Sequence, residues 1–156
     1  NDYSNLLEVS AVKGFAMFLN MEKFSKIGFF DENIFLYLEE IDLCKRVKKI
    51  NEKIYLDQSI KIEHDGGKSV NETFSYEVEL TRNWHWMWSL FYFNQKHFNF
   101  PYALLLVFPR FISAVIKSIF YKLTLNNEKK EIYLKRLSGL INSILSRPSW
   151  HRPTLD

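Results

Sequence analysis

Glu39, Glu40 and Asp42 place three carboxylates in four positions, the densest concentration of carboxylates in this 156-residue sequence. They open a stretch, 39 to 51, in which Leu43, Cys44, Val47 and Ile50 recur at helical spacing. Acids in a first helical turn complement the helix dipole and take up free amide groups, which is one sufficient reason for them to be there. At about 100° per residue, however, Glu39 and Glu40 bracket the direction of Leu43, Val47 and Ile50, so they lie above the buried face and would line a cleft. A carboxylate crowded by like charge and partly desolvated has a raised pKa and can accept a proton from a hydroxyl. On these residues alone both readings stand, and any of the three acids could be the base.

A second group is Ile62-Glu63-His64-Asp65-Gly66-Gly67-Lys68-Ser69. His64 ends a β-like run, and it either caps a turn or ligates a divalent cation bridging a diphosphate, with Gly66 and Gly67 admitting close backbone approach and Lys68 meeting negative charge. The sequence has no Gly-rich phosphate loop, paired-Cys zinc pattern or Gly-x-Ser-x-Gly elbow, which removes the commoner nucleotide, zinc and hydrolase motifs. Nucleic acid is not an expected partner, because the basic residues accompany apolar faces and form no dense polar stripe.

These groups need elements to hold them. Residues 7 to 12 and 14 to 19 are apolar runs broken at Lys13-Gly14, and both read as strands or extended backbone. Residues 21 to 27 predict a short helix stopped by Gly28, followed by a turn over Phe29-Phe30-Asp31-Glu32-Asn33. After the 39 to 51 helix, 53 to 56 and 60 to 63 are β-like, so residues 1 to 70 read as alternating α/β. From 71 to 156 the pattern is helical, with helices predicted over roughly 72 to 98, 102 to 125 and 128 to 146. Pro101 suits a first turn, and Pro109 is expected to kink or restart its helix.

Composition separates the same two regions. Residues 1 to 100 carry 12 Lys+Arg against 15 Asp+Glu, giving −3, while 101 to 156 carry 9 against 3, giving +6. The single cysteine, Cys44, cannot form an internal disulfide and fits a reducing, cytoplasmic compartment. The chain opens at Asn1 without a signal-peptide pattern and reads as a piece of something longer. The apolar run 101 to 108 falls short of the roughly 18 to 20 uninterrupted residues a span needs, so no crossing helix is expected. On a wheel begun at Pro109, Arg110, Ser113, Lys117 and Tyr121 share one face, while Phe111, Ile112, Ile116, Ile119 and Leu123 crowd the rest. That fits a basic amphipathic helix lying on an anionic membrane, or equally a helix packed against its own domain with the many rings as core.

The order and spacing of four segments resemble bacterial family 2 glycosyltransferases of the rhamnosyltransferase-like kind. The segments are Val12-Lys13-Gly14-Phe15-Ala16-Met17-Phe18, Phe24-Ser25-Lys26-Ile27-Gly28-Phe29-Phe30-Asp31-Glu32, Phe35 through Arg46 around the acidic cluster, and His64-Asp65-Gly66-Gly67-Lys68-Ser69. The resemblance implies an α/β fold: the C-terminal, acceptor-side part of a GT-A (Rossmann-like) domain over 1–70, then a helical, membrane-associating tail over 71–156. It implies an inverting enzyme that moves a sugar from a nucleotide-sugar donor to a glycan or lipid-linked acceptor in cell-surface polysaccharide synthesis. The enzyme would sit peripherally on the inner face of the plasma membrane. Glu40 takes the part of the base, ahead of Glu39 and Asp42, and Gly14, Asp31, Arg46, Lys68 and Ser69 become substrate contacts. His64 becomes a contact to a divalent cation, Mg or Mn, held mostly by an N-terminal half outside this chain. The sequence has Glu-Glu where Glu-Asp is more frequent in the family, and it lacks the Gln-x-x-Arg-Trp motif of processive synthases, which favours single-sugar transfer. The alternative from a different class is a non-catalytic membrane-binding or protein-interaction module.

Overall fold

The computed structural model describes residues 5–64 and 74–153. Its described residues fall into two compact units, one made of 5–32 and 38–64, the other of 33–37 and 74–153. The described residues are mostly helical, with five helices and one small antiparallel sheet of two strands among them.

In the first unit β1 (Leu6–Val9) pairs antiparallel with β2 (Ile54–Asp57), Leu6 opposite Asp57 and Val9 opposite Ile54. Between them in sequence come α1 (Met21–Ile27) and α2 (Glu39–Lys49). Helix α1 begins where the Asn20 side chain accepts from the Lys23 amide at 3.2 Å, an N-cap that satisfies one of the free first-turn donors. It stops at Gly28, whose φ of 77° is left-handed and open to glycine at little cost. Helix α2 carries its acids in the first turn and Arg46, Lys48 and Lys49 in the last, the polarity that the helix dipole favours. Its apolar side, Leu43 and Val47, meets Phe24 of α1, with Met17, Leu19, Ile27 and Ile54 around them.

This arrangement corrects the expected fold class in part. The alternating α/β pattern over 1–70 yields no Rossmann-like sheet among the described residues, only β1 and β2. The runs 14–19 and 60–63 are not strands. Gly14 and Phe15 form a turn, and the apolar residues that follow line an open cavity without a neighbouring strand to bond to. A period-2 run becomes a strand only where a second backbone meets its amides and carbonyls.

The second unit is built on α3 (Ser75–His97), α4 (Phe100–Leu123) and α5 (Asn127–Ile144). Asn99 and Asn126 cap α4 and α5, accepting from the amides of Tyr102 at 2.9 Å and Lys129 at 3.0 Å. Pro101 sits in the first turn of α4, where its missing N–H costs nothing. Pro109 does not restart the helix; α4 runs through it, and Arg110 Nη1 donates to the Leu106 carbonyl oxygen at 3.0 Å in the turn that the ring crowds. At 24 residues, α4 is long and apolar enough to cross a membrane by length and composition, which the eight-residue run read from the sequence did not suggest.

Trp84, Met87, Phe91, Val107 and Leu140 fill the core of this unit. Polar side chains join its elements: Trp84 Nε1 donates to Ser138 Oγ at 3.1 Å, Trp88 Nε1 to the Arg147 carbonyl at 3.0 Å, and Ser143 Oγ to the Trp88 carbonyl at 2.9 Å. Residues 33–37 belong here, because Ser149 Oγ and Ser89 Oγ donate to the carbonyls of Asn33 and Leu36 at 2.6 and 2.7 Å.

Two buried histidines make this unit acid-sensitive. His85 lies fully buried with Nε2 2.8 Å from the His151 carbonyl oxygen, so that nitrogen carries the proton and Nδ1 is left without a partner. His151 packs its ring on Trp84 and Trp150. Burial pushes both imidazoles down, His151 to about 4, with Lys135, His85 and Arg152 adding to the fall. A histidine with a depressed folded pKa binds a proton more readily once unfolded, so stability is complete above the unfolded value near 6.5 and drains as pH falls towards about 4. The expected loss from His151 is roughly 2–3 kcal/mol. Denaturant melts followed by tryptophan fluorescence at pH 7 and pH 4.5 measure it, since all four tryptophans (84, 86, 88 and 150) lie in this unit. His151→Gln should flatten the slope; an equal slope in the variant and the natural chain would contradict the assignment.

Candidate functional site

The acidic cluster begins α2 after an abnormal piece of backbone. Tyr37 and Leu38 both hold positive φ, 68° and 70°, and neither is glycine or asparagine. Each such residue costs roughly 1–2 kcal/mol, and residues held this way concentrate at active sites and ligand clamps. Leu38 is the N-cap residue and offers no capping side chain, while its carbonyl accepts from the Asp42 amide at 2.8 Å. Glu39 and Glu40 therefore enter the helix on a backbone that their own sequence does not favour.

The three acids then separate by environment. Asp42 is completely buried and takes Arg46 Nε at 2.8 Å on Oδ2. The same guanidinium donates from Nη1 to the carbonyls of Ile27 at 2.9 Å and Gly28 at 3.0 Å, and from Nη2 to the carbonyl of Phe29. Asp42 and Arg46 thus form a clamp holding the end of α1 against α2, which commits both side chains to structure. Glu39 and Glu40 are partly buried, and the Oε2 atom of each accepts no hydrogen bond among the described residues. Burial raises the Glu39 carboxyl above the ordinary carboxylate range; a bond from its own backbone amide opposes the rise, and the neighbouring Glu40 charge reinforces it. Buried carboxylate oxygens without donors are costly, and a water, an ion or a bound ligand is among the partners that relieve the cost.

Gly14 lies directly against Glu40. A Cβ placed on Gly14 would stand 3.5 Å from Glu40 Cβ and 3.9 Å from its Cδ, ordinary packing distance, so the turn lies in contact with the Glu40 side chain. The next residue, Phe15, stacks face to face on the His64 imidazole, 5.0 Å between centroids with 7° between planes. The turn at 14–15 therefore connects the candidate base to the candidate diphosphate or cation contact. Sequence reasoning placed Gly14, Glu40 and His64 in one site; it did not assign Phe15 a role, though its place beside Gly14 was the available signal. The left-handed pair at 37–38 has no sequence signal at all.

Of the other expected contacts, Asp31 is half-buried in the turn after Gly28, while Lys68 and Ser69 lie outside the described residues, as do Asp65, Gly66 and Gly67. Among the described residues no group of three His, Cys, Asp or Glu side chains could hold a metal ion. A cavity of about 750 Å³ opens beside the apolar core: Met17, Phe24, Val47 and Ile54 line it together with Lys23, Glu52, Lys53 and Asp57, and Phe15 borders it as well, while Glu39, Glu40 and His64 are not among its lining residues. Comparison with protein-family models, curated proteins and solved structures returned no match to this chain.

Proposed function

We propose that this chain is the acceptor-side portion of an inverting, family 2-type glycosyltransferase of GT-A fold, with Glu40 as general base. The observation carrying the reading is the pair of buried carboxylate oxygens without donors among the described residues, on the half-buried Glu39 and Glu40, with Gly14 packed beside Glu40. A sugar hydroxyl supplies what those oxygens lack. In the site it would donate its proton to Glu40 as its oxygen attacks the anomeric carbon of the donor and the nucleoside diphosphate departs from the opposite face. The close Glu39 carboxyl, already raised by burial, would limit the negative charge beside that developing reaction. The order of the four resembling segments is the further support.

A two-stranded sheet is marginal by itself, and an apolar cavity along the core of the same unit suits a larger sheet completed by further chain. In this reading the nucleotide-sugar and its divalent cation are bound chiefly by that further chain, with His64 at the border. The donor is a nucleotide-sugar and the acceptor a glycan or a lipid-linked saccharide.

The test is transfer from a panel of nucleotide-sugars by the full-length enzyme. Glu40→Gln, nearly isosteric and unable to take a proton, is expected to lower turnover by about 10²–10⁴-fold with donor affinity kept, the range typical of removing a general base. Turnover within a factor of a few of the natural enzyme would remove Glu40 from the role. If Glu39→Gln alone stopped the reaction, the assignment would pass to Glu39. Complete absence of transfer in the natural full-length protein would favour the non-catalytic module.

A further inference from the structure

Helix α4 is packed inside out. Its buried side is a stripe of small or short residues, Ala103, Val107, Ala114 and Ser118, while the side turned to solvent carries Leu105, Phe108, Ile112, Ile116, Ile119 and Leu123. Leu105 and Leu123, near opposite ends of the helix, are 74% and 77% exposed, so the outward stripe runs almost its full length, about 27 Å at 1.5 Å per residue. A continuous exposed apolar stripe of that length without a charge is not an ordinary soluble surface.

The charges of α4 lie off that stripe. By helical angle Lys122 borders the stripe, while Lys117 and Arg110 lie farther round, on the side facing α5 and α3, where Arg110 lines a groove with Trp86, Met87 and Arg136. Lys117 Nζ lies 5.3 Å from the Tyr133 ring of α5, and Lys129 of α5 lies 5.4 Å from the Tyr121 ring of α4. Tyr121 and Tyr133 stack at 5.7 Å, fastening α5 along α4 next to the three-residue turn 124–126. The nearby acid Glu131 faces α3, where it accepts from Tyr76 Oη at 3.2 Å. Residues 101 to 156 hold 9 Lys+Arg against 3 Asp+Glu, so this end of the chain is +6.

We infer that the outward face of α4 docks on an anionic phospholipid bilayer, lying in the plane of the headgroups with its six large apolar side chains in the acyl boundary and Lys122 at its edge among the phosphates. The net +6 of residues 101 to 156 draws this end of the chain to anionic lipid, and the uncharged stripe meets hydrocarbon. By length and composition alone α4 could cross the bilayer instead. Its packing argues against that. Helix α5 returns alongside α4 and would be carried into the hydrocarbon with Lys129, Lys130, Glu131, Lys135 and Arg136, each expensive there, whereas in-plane docking leaves all of them in water. This inference does not depend on the proposed sugar transfer.

The experiment is co-sedimentation of the chain with vesicles of phosphatidylcholine containing phosphatidylglycerol and with vesicles of phosphatidylcholine alone, over a range of salt. Binding to the anionic vesicles, weakened by salt and reversed by alkaline carbonate, is expected. The double variant Ile112→Glu, Ile116→Glu should partition at least about tenfold more weakly, while its tryptophan fluorescence and helical circular dichroism stay as in the natural chain. Carbonate-resistant binding would overturn the in-plane arrangement in favour of a span. Failure to bind would overturn lipid as the occupant, and if the same double variant dissolved a dimer seen by light scattering, the face would belong to a second copy.

Discussion

Gly139→Ala is expected to lower the unfolding free energy of the helical unit by about 3 kcal/mol, the upper end of the usual range for overpacking, with a fall in melting temperature of roughly 10 °C or more. A glycine inside a helix costs about 1 kcal/mol relative to alanine, so its presence in the middle of α5 needs a reason. The reason is Trp84 of α3: a Cβ on Gly139 would stand 2.1 Å from the Trp84 carbonyl oxygen, 2.9 Å from its carbonyl carbon and 3.2 Å from its Cα. Those are backbone atoms, which no rotamer change can move aside. Relief requires α5 to back away from α3, and that breaks the bonds flanking the contact, Trp84 Nε1 to Ser138 Oγ and Ser143 Oγ to the Trp88 carbonyl. The gain in helix propensity offsets only part of the cost. Tryptophan fluorescence during denaturation reads the effect directly, because Trp84 lies at the contact. A variant as stable as the natural chain would mean that α3 and α5 are not so closely apposed.

The extents of the three long helices were legible in the sequence to within a few residues, because 3.6-residue periodicity was reinforced at the start of α4 by Pro101; the caps Asn99 and Asn126 were available signals that went unread. Gly28 marked the end of α1. The sheet was read too generously, since alternation along one run says nothing about whether a partner strand is present. Which side of α4 faces the protein was not legible either. Periodicity assigns the bulky apolar residues to the inside, and here the inside is lined by Ala103, Ala114 and Ser118, residues a hydrophobic pattern passes over. In the site, the division of labour among the three acids was not legible. It depends on Arg46 reaching carbonyls 17 to 19 positions away, a tertiary fact with no local trace.

Arg46→Met should produce the other large effect, about 3–5 kcal/mol lost from the smaller unit, the cost of breaking one side of a buried ion pair. Methionine keeps the apolar stem in place and removes every donor, leaving the wholly buried Asp42 carboxylate without its Nε partner and the carbonyls of Ile27, Gly28 and Phe29 without theirs. Arg46→Lys should recover only part of the loss, since a single ammonium cannot reproduce a fork that meets a carboxylate on one edge and three carbonyls on the other. Adding Asp42→Asn to Arg46→Met removes the buried charge that Arg46 faced; the stability then regained measures the ionic share of that contact. The tryptophans lie outside this unit, so the readout is amide hydrogen exchange across α1 and α2, expected to quicken in Arg46→Met, less in the lysine variant, and to an intermediate degree in the double variant. Unchanged exchange in Arg46→Met would show that the clamp carries no stability. Because Asp42 stands in the first turn of α2, loosening it also frees Glu39 and Glu40. In the proposed enzyme, Arg46→Met should therefore lower turnover at a distance from any substrate, and Arg46→Lys should restore turnover in proportion to the exchange protection it restores, a correlation that a direct substrate contact by Arg46 would not give.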